Sequence, residues 1–156
     1  MFAFRTDYYY CSGRVLDGSG VHDTAEGGAV DTRQVVLHVE DNPSNRKLVE
    51  LVVARRPGLR LVEAADGETG LELAREFRPA LVLLDLRLPG ISGEEVLDAL
   101  RADSGTAGLR IVVVSAEARP NETARLIERG ADGYLVKPVD VADLLDVLDS
   151  IEVPNA

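Results

Sequence analysis

The most informative segment of the chain is Leu81-Val82-Leu83-Leu84-Asp85, an apolar run that ends in a carboxylate. The run shows no alternation between apolar and polar side chains. A short continuous run of this kind is typical of a strand that is covered on both faces, as in a parallel sheet. The segment therefore predicts a buried strand with an acid at its end.

Similar apolar runs lie on both sides of this segment, and each is followed by a segment whose apolar residues have helical spacing. The predicted strands are 35–39, 59–62, 81–84, 111–114 and 133–136. The predicted helices are 43–55, 67–77, 92–100, 120–129 and 141–151. Strict alternation of this kind favours an α/β fold, a doubly wound five-stranded parallel sheet with five helices.

Residues typical of helix ends support these segments. Ser92 and Glu95 have the spacing of a capping box, and Pro43 and Pro120 suit a first helical turn. Asp140 suits the N-cap of the last helix. Capping residues and apolar periods thus predict the same helices.

The sequence changes character near residue 34. Residues 1–33 have no sustained apolar period and contain much Gly, Ser, Asp and Thr, which predicts a flexible or disordered N-terminal tail. Residues 34–151 form the predicted domain, and residues 152–156 form a short C-terminal tail.

The composition excludes several classes of protein. The chain has 156 residues, of which 46% are hydrophobic and 28% are charged, as in soluble globular proteins. Its 27 acidic and 17 basic residues give a net charge of −10, which disfavours nonspecific binding to nucleic acid. A single cysteine excludes an internal disulfide. Because no apolar run has the length of a membrane span or of a leader, we expect a cytoplasmic protein without membrane insertion.

Polar side chains end four of the five predicted strands. Glu40 and Asp41 follow the first strand, Asp85 the third, Ser115 the fourth and Lys137 the fifth. Ligands of open parallel sheets bind beyond the carboxyl ends of the strands, so these side chains are expected to converge there. Three carboxylates repel one another, and one lysine offsets only part of their charge. A donor set made of oxygen atoms predicts a Mg²⁺ ion.

The same residues indicate a reaction. A carboxylate beside Mg²⁺ can attack a phosphoryl group and become an aspartyl phosphate. Lys137 and the ion would neutralise the transferring oxygens, and the hydroxyl of Ser115 could donate a hydrogen bond to one of them. The residues therefore predict a Mg²⁺-dependent site at which a carboxylate is phosphorylated.

Four motifs resemble the receiver domain of two-component response regulators over about residues 34–151. They are Val39-Glu40-Asp41-Asn42, Leu83-Leu84-Asp85-Leu86-Arg87-Leu88-Pro89-Gly90, Val113-Val114-Ser115-Ala116 and Gly130-Ala131-Asp132-Gly133-Tyr134-Leu135-Val136-Lys137-Pro138. The resemblance implies a CheY-like, flavodoxin-like sheet with strand order 2-1-3-4-5.

The resemblance also implies a metal and phosphoacceptor set. Asp85 matches the phosphoacceptor and Asp41 matches a direct Mg²⁺ ligand. Glu40 matches the second acid, often acting through water, and the backbone carbonyl of Arg87 matches the third protein ligand.

Three further matches concern the response to phosphorylation. Ser115 matches the switch hydroxyl, Lys137 matches the cation that pairs with the phosphoryl group, and the Lys137–Pro138 bond is expected to be cis. Tyr134 matches the switch aromatic, with packing at the sheet edge as the alternative. His38 lies inside an apolar strand and is expected to be packed or hydrogen-bonded rather than to donate a phosphoryl group.

Two charged residues occupy the variable positions that tune the phosphoryl lifetime in this family. Arg87 stands two residues after Asp85, and Glu117 stands two residues after Ser115. Opposite charges there are expected to pair across the site mouth and hinder an attacking water. This pairing predicts a longer-lived phosphoryl group than small residues would give.

The resemblance implies a sensor histidine kinase or histidine phosphotransfer protein as donor and a downstream protein effector as partner. Because the sequence ends five residues after Ile151, we expect a single-domain regulator with no direct contact to nucleic acid. We expect no enzyme, but a phosphoacceptor that can lose its own phosphoryl group. The alternatives are a Mg²⁺-dependent phosphatase with an Asp nucleophile, a flavodoxin-like electron carrier and a docking domain that is never phosphorylated.

Overall fold

The computed structural model describes residues 10–11, 14–15, 31–117 and 119–151. Its strands are β1 (Tyr10–Cys11), β2 (Arg14–Val15), β3 (Gln34–Val39), β4 (Leu59–Ala64), β5 (Leu81–Asp85), β6 (Ile111–Ser115) and β7 (Gly133–Val136). Its helices are α1 (Pro43–Val53), α2 (Gly67–Phe77), α3 (Gly93–Ala102), α4 (Pro120–Glu128) and α5 (Val141–Asp149). All five predicted strand–helix units are present.

The five strands β3 to β7 are parallel and lie in the order β4-β3-β5-β6-β7. Numbered within the domain this is 2-1-3-4-5, so the predicted doubly wound sheet is confirmed. The register pairs Val39 with Leu84 and Ser115 with Val136. The carboxyl ends of β3, β5, β6 and β7 therefore lie side by side at one edge of the sheet.

Two short strands precede the domain. β1 pairs antiparallel with β2 and with the outer strand β4, where Cys11 is the register partner of Val62. Both strands fall within the predicted tail, most of which lies outside the described residues, as do residues 152–156 of the predicted C-terminal tail. The flexibility of the N-terminal tail stays a prediction.

Apolar side chains alternate between two layers of core. Val35, Leu37 and Val39 of β3 face the layer with α2 and α3, whereas Val36 faces the layer with α1 and α5. Every residue of β5 is buried, which is why its sequence shows no alternation. The buried apolar residues of the described part of the chain are all aliphatic.

The helix ends follow the predicted capping residues. Ser92 and Glu95 form a capping box, Pro43 and Pro120 stand in the first turns of their helices, and the Asp140 carboxylate accepts a hydrogen bond from the amide of Ala142. Boundaries differ from the predicted ones by one or two residues, because exposed residues in a last turn carry no apolar signal. Among the described residues, no helix is long and apolar enough to cross a membrane.

An arginine clamp joins two loops at the opposite, amino-terminal edge of the sheet. Arg101 of α3 donates to the carbonyl of Gly130 at 2.7 and 2.9 Å, to that of Ala107 at 2.8 Å and to that of Leu109 at 2.6 Å. It also binds Asp132 at 2.9 Å, and the same carboxylate oxygen accepts the amide of Ile111 at 2.8 Å. The clamp holds the starts of β6 and β7 together.

Candidate functional site

The ends of three strands place the predicted acids and lysine together. Glu40 follows Val39, which pairs with Leu84, so Glu40 and Asp85 lie side by side. The amide of Lys137 donates to the carbonyl of Ser115 at 2.8 Å, which places Lys137 directly after the β6–β7 pairing. Side chains alternate along each strand, so Glu40, Asp85 and Lys137 point to the same side of the sheet.

Three carboxylates form the centre of the site. Ligand oxygens of Glu40, Asp41 and Asp85 all lie within 4.8 Å of one another. Glu40 and Asp85 are 1% and 3% exposed, whereas Asp41 is exposed. Glu40 accepts hydrogen bonds from the amide of Asn42 at 3.1 Å and from the side chain of Asn45 at 3.3 Å. Neighbouring donors thus hold the buried acids while Asp41 faces solvent.

A single ammonium group contacts both buried carboxylates. The Nζ atom of Lys137 lies 2.8 Å from Oε2 of Glu40 and 3.1 Å from Oδ2 of Asp85. The other oxygen of Asp85, Oδ1, accepts the amide of Arg87 at 3.2 Å. The peptide bond between Lys137 and Pro138 is cis, as predicted.

The two buried carboxyl groups titrate differently. Burial raises the pKa of Asp85, and the negative charge of Glu40 raises it further, so that the hydrogen bonds from Arg87 and Lys137 do not restore its usual value. Burial also acts to raise the pKa of Glu40, but the bonds from Lys137 and Asn42 outweigh it and lower that pKa. Burial acts to lower the pKa of Lys137, yet its bonds with the two carboxylates give a net rise. The site therefore holds more negative charge than its lysine neutralises.

The donor set fits a hard divalent cation. Among the described residues, the cluster offers only carboxylate oxygens, and the carboxylate of Asp41 accepts no hydrogen bond there. Mg²⁺ prefers oxygen ligands and commonly uses one or two carboxylates together with water. Glu40, Asp41 and Asp85 are thus suited to hold it, and the carbonyl of Arg87 as a further ligand stays a prediction.

The two predicted switch residues lie next to each other on the other face of the sheet. Ser115 ends β6 and its Oγ accepts the amide of Glu117 at 3.2 Å. Tyr134, in β7, packs against the core layer of α2 and α3, and its hydroxyl is buried without a hydrogen-bond partner among the described residues. Both residues line a cavity of about 380 Å³ beside α4. Their role as a switch stays a prediction.

Arg87 and Glu117 form the expected ion pair. Nη2 of Arg87 lies 2.8 Å from Oε1 of Glu117. Both side chains are largely exposed, at 78% and 49%, so the pair lies at the mouth of the site. Its effect on phosphoryl lifetime stays a prediction.

The buried histidine is packed rather than poised for chemistry. His38 is buried in β3, and its Nδ1 has no hydrogen-bond partner within the described part of the chain. Burial lowers the pKa of His38 to about 4, despite the nearby charge of Glu40. A neutral histidine enclosed by the sheet agrees with the packed interpretation.

Two site residues were not singled out from the sequence. Asn45 binds Glu40 from the first turn of α1. Gly93 begins α3 so close to β5 that a Cβ atom there would lie 2.1 Å from the carbonyl oxygen of Asp85. Glycine is unfavourable inside a helix, so a glycine at the start of a capped helix is the signal in the sequence that another part of the chain packs closely there.

Comparison with known proteins agrees with this geometry. Residues 36–149 match the family model described as the response regulator receiver domain. The match includes every residue of the acid cluster, Lys137, Ser115 and Tyr134.

Curated relatives are longer than this chain. The nitrate/nitrite response regulator NarL of Escherichia coli is 41% identical over 114 residues, which cover 72% of this chain and 52% of NarL. The DNA-binding response regulator MtrA of Mycolicibacterium smegmatis is 40% identical over 113 residues, covering 72% and 48%. The chain spans about half the length of these relatives.

Solved structures match the whole domain. The chemotaxis response regulator CheY4 of Vibrio cholerae is 30% identical with a TM-score of 0.70, covering 78% of this chain and 100% of that chain. A LuxR-family two-component response regulator from Aurantimonas is 31% identical with a TM-score of 0.68, covering 78% and 91%.

Proposed function

The chain belongs to the response regulator receiver domain family, and we propose from this membership and its site that Asp85 accepts a phosphoryl group. The donor is a sensor histidine kinase or a histidine phosphotransfer protein, and the reaction depends on Mg²⁺. The observation that carries the proposal is the contact of one lysine with two buried carboxylates beside an exposed third.

The geometry supports Asp85 as the nucleophile. A carboxylate oxygen of Asp85 attacks the phosphorus of a phosphohistidine, an oxygen–phosphorus bond forms, and the phosphorus–nitrogen bond breaks as the imidazole leaves and takes up a proton. The raised pKa of Asp85 marks a carboxylate whose charge is poorly compensated, which keeps it reactive toward an electrophile. Glu40 is better compensated by Lys137 and Asn42 and is suited to a supporting role.

Charge neutralisation would come from the chain and from a bound cation. Glu40, Asp41 and Asp85 would hold Mg²⁺, which would supply positive charge to offset that of the phosphoryl oxygens. Lys137 already lies 3.1 Å from Asp85, so it can follow the new phosphoryl group without a large movement. Ser115 can exchange its contact with the Glu117 amide for one with a phosphoryl oxygen.

The output of the domain is a change in a protein-binding face formed by α4, β7 and α5. Two large apolar side chains on this face are exposed: Ile127 of α4 and Val136 of β7, at 46% and 43%. Exposed apolar groups together on one face favour a protein partner. The chain then acts as a signalling module without an enzymatic reaction of its own beyond losing its phosphoryl group.

The phosphatase alternative has less support. Phosphatases with an Asp nucleophile typically carry a second Asp two residues after it, whereas Asp41 is followed by Asn42 and Pro43. The Asp41 carboxylate is also exposed, whereas Asp85 is buried at the end of its strand.

The decisive experiment is a titration with beryllofluoride, a phosphoryl mimic, in the presence of Mg²⁺, followed by amide NMR. The unaltered protein is expected to show saturable shifts near Ser115 and Tyr134, and Asp85→Ala is expected to show none. Asp143→Ala, which removes an exposed acid of α5, serves as the matched control and should respond like the unaltered protein. A response in both the unaltered protein and Asp85→Ala, or in neither, would contradict the assignment.

A further inference from the structure

Helix α4 has little apolar anchorage. Of its nine residues only Leu126 is buried, whereas α3 buries four: Gly93, Val96, Leu97 and Leu100. Its N-cap residue, Arg119, makes no side-chain capping bond. Because apolar burial supplies most of the free energy that holds a helix on a sheet, α4 needs another source of attachment.

That source is a cluster of ion pairs with α3. Arg125 of α4 binds Glu94 of α3 through both ends of its guanidinium group, at 2.7 and 2.9 Å. Arg129, just after α4, binds both Glu94 and Asp98 of α3, with a further bond to Asp98 at 3.2 Å. We call Glu94, Asp98, Arg125 and Arg129 the α3–α4 clasp.

The clasp has the geometry of a strong surface network. Forked contacts between guanidinium and carboxylate groups are the most favourable ion pairs, and networks contribute more than isolated pairs. The hydrogen bond from Arg125 lowers the pKa of Glu94, despite the opposing effect of partial burial, so this carboxylate is charged at neutral pH. All four side chains remain partly exposed, which leaves the clasp open to screening by salt.

The clasp adjoins the cavity next to the phosphoacceptor site. Glu94 lines that cavity of about 380 Å³ together with Ser115, Glu122, Leu126 and Tyr134. Glu94 of the clasp and Leu126, the one buried apolar side chain of α4, therefore line the same cavity as the two residues expected to rearrange. The buried Tyr134 hydroxyl lacks a partner among the described residues, so its present position is weakly held by polar contacts.

We propose that the α3–α4 clasp holds α4 over this cavity in the resting state, and that loosening the clasp favours the phosphorylated form of the site. The proposal rests on the proposed function, since it names the regulation of the same site. A helix held by one leucine and by ion pairs can shift when those pairs weaken, whereas a helix held by several buried side chains cannot. The clasp thus adds its interaction free energy to the resting state alone, and a phosphoryl group must overcome it.

The test uses the full chain with Arg125→Gln and Arg129→Gln combined, which removes the cationic half of the clasp. Arg75→Gln is the control, because Arg75 forms a similar exposed pair with Asp103 at 3.0 Å, away from α4. Two quantities are measured: hydrogen exchange of the α4 amides, and the apparent Kd for beryllofluoride with Mg²⁺ by calorimetry.

The double variant is expected to exchange its α4 amides about tenfold faster than the unaltered protein, while the amides of β5 and β6 keep their protection. Its apparent Kd for beryllofluoride is expected to fall about three- to tenfold. Raising the salt concentration from about 0.05 M to about 0.5 M should speed the exchange of the α4 amides in the unaltered protein and in Arg75→Gln. The α4 exchange of the double variant should stay nearly unchanged, because it has no clasp left to screen.

The outcomes separate this proposal from the proposed function. If the double variant and Arg75→Gln have the same Kd, the clasp does not regulate the site, even if α4 exchanges faster. Unchanged α4 exchange in the double variant would overturn the clasp as the attachment of α4. If beryllofluoride does not bind the unaltered protein, the proposed function fails, and with it the regulatory part of this proposal, while exchange still tests the attachment.

Discussion

The two edges of the parallel sheet are built on opposite electrostatic principles. At the amino-terminal edge, Arg101 meets three carbonyl groups and one carboxylate, and the acceptors suit its five donor hydrogens. At the carboxyl edge, Lys137 serves two buried carboxylates, and Asp41 adds a third acid without a partner among the described residues.

The difference shows which edge stabilises the fold and which is free to react. A partly buried polar network stabilises when all its members are bonded, and it is costly to break. A cluster with surplus like charge stores unfavourable energy that a bound cation can release. We therefore expect substitutions at the two edges to have opposite effects on function and stability.

The largest expected effect is on function at the carboxyl edge. Asp85→Asn is expected to abolish phosphorylation by a small phosphodonor such as acetyl phosphate, as measured by intact mass. In the absence of divalent cations it should also raise the free energy of unfolding by about 1 kcal/mol, because the amide removes a poorly compensated buried charge. A loss of stability in urea unfolding would contradict the view of this edge as strained.

The next effect is on stability at the amino-terminal edge. Arg101→Ala is expected to lower the free energy of unfolding by about 3 kcal/mol, because it leaves the carbonyls of Gly130, Ala107 and Leu109 and the carboxylate of Asp132 short of donors. Urea unfolding gives this value, and Arg75→Ala, which breaks an exposed pair, is the control. Phosphorylation of the folded fraction should be unchanged; a loss of it would show that the two edges are not independent.

A smaller effect concerns Glu63, near the carboxyl end of β4. Burial raises the pKa of Glu63 from 4.5 to about 7, and its Oε1 has no partner among the described residues. A carboxyl group whose pKa is raised by folding contributes stability that is fully present when the pH is below the pKa of the unfolded chain. This contribution is lost as the pH rises through the folded pKa of about 7. The difference in unfolding free energy between Glu63→Gln and the unaltered protein should therefore shift in favour of the variant by about 2 kcal/mol between pH 5 and pH 8.

The pH dependence of the difference in unfolding free energy between these two proteins reports on the ionisation of Glu63. His38, with its pKa lowered to about 4, contributes a pH dependence of the opposite sign, and both proteins keep this residue, so the difference between them reports mainly on Glu63. A difference in unfolding free energy that stays constant from pH 5 to pH 8 would disprove the raised pKa.

The smallest effect is kinetic and lies at the site mouth. Arg87→Ala and Glu117→Ala are each expected to speed the loss of the phosphoryl group by about threefold, since their exposed ion pair hinders water. Stability should change by less than about 0.5 kcal/mol. Decay of the phosphorylated species, measured by mass spectrometry, tests this; an unchanged rate in both variants would remove the pair from the mechanism.

Much of the fold and of the candidate site could be predicted from local sequence. The five apolar runs and the helical periods between them specify strands and helices because each pattern reflects burial of that segment alone. The acids and the lysine could be placed because each directly follows a strand, and parallel strands bring their carboxyl ends together. Asp85 and Lys137 are 52 residues apart in sequence but lie 3.1 Å apart in space for this reason.

The remaining features depend on side chains that local patterns do not connect. The Arg101 clamp joins α3 to loops whose residues are as many as 31 positions away, and an arginine in a last helical turn usually indicates only a solvated end. In the sequence Gly93 looks like an ordinary residue of a capped helix, and its close approach to the backbone of Asp85 is visible only in the folded chain. The α3–α4 clasp needs both helices in place before its charges can meet.

The sequence by itself determined the order of strands and helices and the convergence of three acids and a lysine. Burial gives each segment its own apolar pattern, and the polar residues directly follow the apolar strands. Only the tertiary structure decided which carboxylate is buried and poorly compensated, which arginine closes the opposite edge, and which helix is held by charge rather than by apolar packing. These properties depend on distances between side chains on separate elements, and such distances exist only after the sheet has assembled.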